Sequence, residues 1–174
     1  MLTEDIPAAE PASIVEAKAY LRVDHVEEDA LLGGLLRTAR ALCEAFTGRM
    51  LIAREVRETA AGCASWQRLS ATPVGAIVGV SSADGTALPA GGFETDIDAN
   101  GDGWVRVSAP GFERVRVTYR AGMAVDWNGV PEPLRQGIVR LVGHLYANRD
   151  GADDRGPPAA VAALWRPWRR MRLR

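Results

Sequence analysis

The sequence predicts an α+β fold: a small helical bundle interrupted by an inserted antiparallel β-rich unit and closed by an extended C-terminal tail. Three observations carry this. Helix-spaced apolar residues run from about 13 to 48 and again from 131 to 148, a period-two pattern with turn residues fills 51–123, and an arginine- and tryptophan-rich stretch ends the chain. At 174 residues, with 47% hydrophobic and 25% charged residues, the chain fits one domain of ordinary size with a sizeable core. The expected division is helices at about 13–48 and 131–148, the β-rich insertion at 51–123, a linker at 150–158 and a tail at 159–174.

Taken in order, Ser13 followed by Glu16 reads as a capping box opening a short helix through about Leu21. Asp24 followed by Glu27 repeats that signal for a longer helix. Its stripe is Leu31, Leu32, Leu35, Leu36, Ala39, Leu42, Cys43 and Phe46, with Gly48 as the stop. Gly33 and Gly34 interrupt this helix at roughly 1 kcal/mol each relative to alanine. Both read as lying off the apolar stripe. They fit either a close approach by a neighbouring element or subunit, or simple tolerance in a well-packed helix.

Candidate strands follow at Ile52–Glu58, Trp66–Leu69, Ala76–Ser81, Phe93–Asp96, Trp104–Val107 and Val115–Arg120. In the last, Val115, Val117 and Tyr119 alternate with Arg116, Thr118 and Arg120, as in a half-buried strand. Asp84-Gly85 and Asn100-Gly101 read as hairpin-type turns. Leu134, Ile138, Leu141, Val142 and Leu145 then form a helical stripe behind Pro131 and Pro133, ending near Asn148.

Chemistry is sparse. His25 and His144 are the only histidines, neither in an HExxH pattern, and no GxSxG or P-loop glycine pattern occurs. Cys43 and Cys63 read as two reduced structural thiols. Asp96-Ile97-Asp98-Ala99-Asn100-Gly101 matches the first half of a calcium loop, but Val107 stands where a bidentate glutamate should close it. A polar hairpin tip is the better reading. No catalytic residue, metal or cofactor is expected. No apolar run reaches the ~18 residues of a membrane span, and MLTEDIPAAE lacks the basic start of a secretory signal.

Charge is uneven although the net formal charge is −1. Residues 1–30 hold eight acids against Lys18 and Arg22, whereas 166–174 hold five arginines and no acid. Opposite charge at the two ends suits a protein that meets partners or copies of itself at both. The tail segment Trp165-Arg166-Pro167-Trp168-Arg169-Arg170-Met171-Arg172-Leu173-Arg174 combines the residue types that dominate interface hot spots. They also suit nucleic acid. A protein partner ranks first and nucleic acid second.

In order, these pieces resemble the head-tail connector (adaptor, or head-completion) proteins of tailed bacteriophages and phage-derived gene transfer agents. The residues carrying the likeness are Val15 to Asp24, Glu28 to Leu32 and Ala41 to Gly48. Further on come Asp84-Gly85 with Leu88-Pro89, Val115 to Gly122, Val130 to Gln136 and the Pro-Trp-Arg-Arg-Met-Arg-Leu ending. The resemblance implies a non-catalytic structural subunit, commonly twelve to a ring, beneath the portal protein at one capsid vertex. Such a ring extends the DNA channel and joins head to tail. The implied partners are the portal, other copies of the chain, and a tail or stopper protein. Packaged DNA would pass through without sequence-specific contact, and no membrane is involved. The implied location is the virion neck, after assembly in the host bacterial cytoplasm.

Carried onto this chain, portal contact falls to Trp165, Arg166, Trp168, Arg169, Arg170, Arg172 and Leu173. Glu27, Glu28, Asp29, Gly33 and Gly34 are candidates for a channel-facing or subunit-contacting surface. The alternative is a nucleic-acid-binding accessory protein using the Arg/Trp tail. Removal of residues 165–174 is expected to leave the fold intact, because they follow a linker.

Overall fold

The computed structural model describes residues 2–4, 14–148 and 156–170. Its elements are β1 (Leu2–Glu4), α1 (Ile14–Leu21), α2 (Asp29–Thr47), β2 (Arg54–Ala61), β3 (Gln67–Arg68), β4 (Val74–Ser82), β5 (Phe93–Ile97), β6 (Gly103–Val107), β7 (Arg114–Ala121), α3 (Glu132–Ala147) and α4 (Ala159–Trp165). The chain is mixed α+β, as its periodicities predict. It divides into two compact units: β1 with Ala53–Met123, and the described parts of Ala8–Ile52 and Ala124–Arg174.

The β unit contains a four-stranded antiparallel sheet in the order β1-β2-β7-β4, and a three-stranded one in the order β3-β6-β5. Strand alternation sets its core. Val115, Val117, Tyr119 and Ala121 of β7 are buried, as are Val56 of β2 and Val74 and Val80 of β4. Val105 and Val107 of β6 are buried from the second sheet. Pairing of Val56 with Tyr119 and of Ile77 with Tyr119 puts this tyrosine at the centre of the larger sheet. Its hydroxyl donates to Glu58 Oε2 at 2.7 Å and accepts the Ala71 amide at 3.1 Å.

All six strands expected from 51–123 form, with shifted ends. The Trp66–Leu69 run shrinks to Gln67–Arg68, and Trp66 is left 42% exposed beneath the Arg106 guanidinium, 4.8 Å from its ring centre. β1, a three-residue strand against β2, has no counterpart in the sequence reading.

Both expected turns form. At the first, Asp84 accepts from the Ser82 hydroxyl and, at 3.1 Å, from the Thr86 amide. These bonds hold its carboxyl below the usual carboxylate range. At the second, Asp98 Oδ1 accepts from the amides of Asn100 and Asp102 at 2.8 and 2.9 Å, while Oδ2 takes Trp104 Nε1 at 3.2 Å. Asp102 in turn accepts from the Thr72 hydroxyl at 3.2 Å. Asp98, the middle oxygen ligand of the half calcium loop, is therefore committed to its own hairpin. Gly101 is required there: its φ is +77°, and a Cβ would sit 2.8 Å from Pro73 Cβ.

In the helical unit, α1 ends at Arg22, a non-glycine residue in the left-handed region at φ +58°. The Val23 amide there closes onto the Lys18 carbonyl at 3.1 Å. The Asp24/Glu27 capping signal does not open α2, which starts at Asp29 with no side-chain cap. Asp24 and Glu27 stay exposed, and the acids that follow them are held by tertiary partners: Asp29 accepts from Lys18 at 2.8 Å, and Glu28 from the Tyr146 hydroxyl of α3. Gly48, at φ +69°, stops the helix as expected, its amide donating to the Glu44 carbonyl at 2.8 Å.

The α2 stripe is rotated from its expected position. Leu32, Leu36, Ala39 and Cys43 are buried, while Leu31 and Leu42 are each 39% exposed. Gly33, expected off the stripe, is buried; Gly34 is only half-buried. A Cβ at Gly34 would meet nothing closer than Arg37 Nη2 at 3.9 Å, so no packing inside the chain requires glycine there. Along α3, Leu134, Gly137, Ile138, Leu141 and Val142 are buried. Among the described residues no helix is long and apolar enough to cross a membrane.

Tyr119→Phe is expected to destabilise the protein by about 1–3 kcal/mol, because the buried Ala71 amide loses its acceptor. The measurement is the urea midpoint at unchanged m-value.

Candidate functional site

The C-terminal segment was expected to be a separate tail, and the structure corrects this. Pro157 and Pro158 lead into α4, where the amides of Val161 and Ala162 both donate to the Pro158 carbonyl at 2.9 Å. α4 packs on α3 and α2, and Trp165 at its end is fully buried.

The seat for Trp165 is built by a glycine. A Cβ at Gly137 of α3 would lie 2.1 Å from the indole Nε1, so only the bare backbone leaves space for the ring. Trp165 Nε1 donates to the Leu134 carbonyl at 3.4 Å, and Phe46 of α2 lies against the indole with centroids 5.8 Å apart. Burying a tryptophan removes roughly 150–250 Å² of mostly apolar surface from water, and its N–H needs an acceptor once inside. Here the helix backbone supplies it.

Beyond Trp165 the chain turns once, at Arg166–Trp168, and runs along the C-terminal end of α2. The Arg170 amide donates to the Thr47 carbonyl at 2.8 Å, and Arg49 Nε to the Trp168 carbonyl at 3.2 Å. The Arg169 guanidinium stands 5.7 Å from the centre of the Phe46 ring. The segment through Arg170 is thus clamped by main-chain bonds and one buried ring. Against the expectation of a removable tail at 165–174, the stretch from Trp165 to Arg170 is built into the helical unit.

Residues named from the sequence therefore part company. Trp165 belongs to the core of the helical unit. Arg166 and Arg169 are exposed, and Trp168 and Arg170 half-buried, along one docked stretch. Arg172 and Leu173 lie outside the described residues. At the other end of the helical unit, Glu27 is exposed, whereas Glu28 and Asp29 are bound to Tyr146 and Lys18. Gly137 was missed; its signal was a lone glycine within the apolar stripe of a helix, a mark of close approach.

A second feature joins α1 to α3. Trp127 Nε1 donates to Glu16 Oε2 at 3.0 Å, so the residue expected to cap α1 ties it to the segment before α3. Arg135 lies 5.9 Å from the Trp127 ring and is paired with Glu132. Glu16, Glu132 and Arg135 line a depression of about 320 Å³ together with Ala19, Tyr20, Gln136 and Val139. Its carboxylates are engaged in these bonds, and it holds no histidine or cysteine.

Elsewhere His25 is exposed, and His144 sits near the end of α3 with Nδ1 3.3 Å from Asn148 Nδ2. Burial, and secondarily Glu44, pushes the Cys43 thiol far above its ordinary range, which keeps it protonated and inert. Among the described residues no three His, Cys, Asp or Glu side chains gather as a metal site would need.

This architecture, a helical bundle with an inserted two-sheet β unit, has solved counterparts. The chain is similar to one in the neck of an empty gene transfer agent (GTA) particle computed with C6 symmetry: TM-score 0.79, 25% identity, 99% of this chain and 97% of that one. It is similar to one in the virion of a native GTA particle, with TM-score 0.74, 28% identity and the same coverage. A third is in the neck of a native GTA particle computed with C12 symmetry, with TM-score 0.76, 25% identity and again the same coverage. No family model matches the chain, and no curated protein does. The class is thus that of GTA neck proteins in fold. With nearly all of both chains aligned, the resemblance to the head-tail connector family holds.

Trp165→Ala is expected to cost about 3–5 kcal/mol through the cavity it leaves. Gly137→Ala should also destabilise, by about 1–3 kcal/mol or more, by displacing the indole. Thermal and urea unfolding of both variants, with Trp168→Ala as the half-buried control, measures the difference.

Proposed function

We propose that this chain is a structural subunit of a virion neck, one copy in a ring that joins head to tail. The observation that carries this reading is the likeness to GTA neck and virion chains at 25–28% identity over 97% of their length. The C6 and C12 symmetries of two of those particles support repeated copies around an axis. A closed ring needs two different complementary surfaces on each copy. The apolar residues left in water on the helical unit, Leu31, Leu42, Val15 and Val26, supply material for such contacts. The work is mechanical: binding energy goes to neighbouring subunits, and the reading assigns no reaction to the chain.

Within this reading the ring stacks beneath the portal, extends the DNA channel and receives a tail or stopper protein. The portal contact is assigned to the exposed arginines Arg166 and Arg169 and to the continuation through Arg172 and Leu173. Trp165 anchors that stretch from inside and is not itself a contact. Glu27, with its exposed carboxylate, is the candidate for the channel wall. Gly33 and Gly34 stay candidates for subunit contact.

Two truncations test the assignment. Ending the chain after Arg170 keeps the clamp and should leave thermal stability close to that of the full protein, yet abolish co-sedimentation with portal. Ending it after Pro158 removes Trp165 and should also unfold the helical unit at lower temperature. Full incorporation of the first truncation into particles would remove residues 171–174 from the portal-binding surface. Absence of the full-length chain from purified particles, by mass spectrometry, would end the neck reading.

A further inference from the structure

The outward face of the larger sheet is a separate feature from the docked C-terminal stretch. On β7 the side chains opposite the core are Arg114, Arg116, Thr118 and Arg120, and the arginines are exposed. Register places Ala61, Thr59, Arg57 and Glu55 of β2 beside them in that order. On β4, Ser81 stands beside Arg116, Gly79 beside Thr118 and Ala76 beside Arg120. The face thus carries Arg57, Arg114, Arg116 and Arg120 against one acid, Glu55, whose carboxylate is held by Arg57. Arg114 and Arg120 have no acidic partner among the described residues, and Arg116 donates to the Ala83 carbonyl at 2.8 Å. Glu58 of β2 points to the other face, pairing with the buried Val117 and bonded to Tyr119, and Asp84 and Glu113 lie in the turns at one end. The whole chain has a net charge of −1, so this concentration of positive charge is local.

We infer that this face binds the phosphate backbone of duplex DNA without reading its sequence. Charge selects a polyanion. The spaces between the guanidinium groups are filled by threonine, serine, alanine and glycine, so a phosphodiester chain can come close and find hydroxyl donors as well. Arginines two residues apart on a strand sit roughly 7 Å apart and point the same way. Their backbone is fixed by the paired sheet, so only the side chains are ordered on binding. A protein partner is disfavoured by what is missing: such interfaces centre on an aromatic or large aliphatic anchor in a dry pocket. The one large apolar side chain exposed on β4 is Val78, between the paired residues Ile77 and Gly79 where the register slips.

The test uses the full-length protein and a fluorescently labelled random-sequence duplex, with anisotropy recorded over a salt series. Wild type should bind with a log–log salt slope of several units. Arg114→Ala with Arg120→Ala should lower the slope by about two, roughly 0.9 for each phosphate no longer neutralised, and weaken binding on the order of tenfold. Arg114→Lys with Arg120→Lys should restore the slope. No salt-dependent binding by wild type, or an alanine double variant that binds like wild type, overturns the inference. So does a slope that falls only on Arg172→Ala with Arg174→Ala, which would give DNA binding to the chain's end. Unchanged DNA binding with failure of the alanine variant to enter particles would assign the face to a protein neighbour. Particle incorporation of wild type is scored separately, so the neck reading can fail while this one stands.

Discussion

The helical unit is organised around an indole ring lying on a helix backbone. Trp165 reaches the α3 backbone only because Gly137 has no side chain, and its N–H finds an acceptor in the turn that contains that glycine. Its closure on Phe46 also brings the following residues against the end of α2, where the Thr47 carbonyl accepts the Arg170 amide and the Arg49 side chain donates to the Trp168 carbonyl. α2, α3 and α4 therefore meet at one ring, and the positions of the exposed Arg166 and Arg169 depend on it. Removal of the ring would be felt at both the fold and the surface.

This explains an economy in the distribution of charge. Under the proposed portal contact, ordering the segment only at the moment of binding would weaken it, since each immobilised long side chain costs about 0.5–1.5 kcal/mol. Here the stretch before the last residues is already ordered by its own protein. The acids near α2 follow the same logic. Glu28 and Asp29, candidates from sequence for a channel-facing or subunit-contacting surface, fasten α2 to Tyr146 and Lys18, leaving Glu27 and Asp24 to solvent.

Most of the fold could be read in the sequence, because a core that lies on one side of each element imposes a period. Val115, Val117 and Tyr119 announced β7, and Leu134, Ile138, Leu141 and Val142 announced α3. What escaped was set by tertiary contact. β1 has three residues and no room for a pattern. The start of α2 moved to Asp29, where Glu28 and Asp29 are bound to Tyr146 and Lys18, while the expected capping pair Asp24 and Glu27 lies exposed ahead of it. Trp165 was assigned outward since arginine and tryptophan together suggest an interface, and only the glycine at 137, far off in sequence, reveals that one of the rings turns inward. The arginines of β7 were visible as the polar half of an alternating strand. That Arg57 joins them required the register of β2, which no single strand displays.

The dryness around Trp165 has an optical consequence. An indole enclosed by Phe46 and the α3 backbone emits at shorter wavelength than one in water, whereas Trp66, 42% exposed, belongs to the β unit and emits as a wetted ring. Undocking of the chain's end therefore writes itself into the protein's own fluorescence as a red shift, with no dye attached.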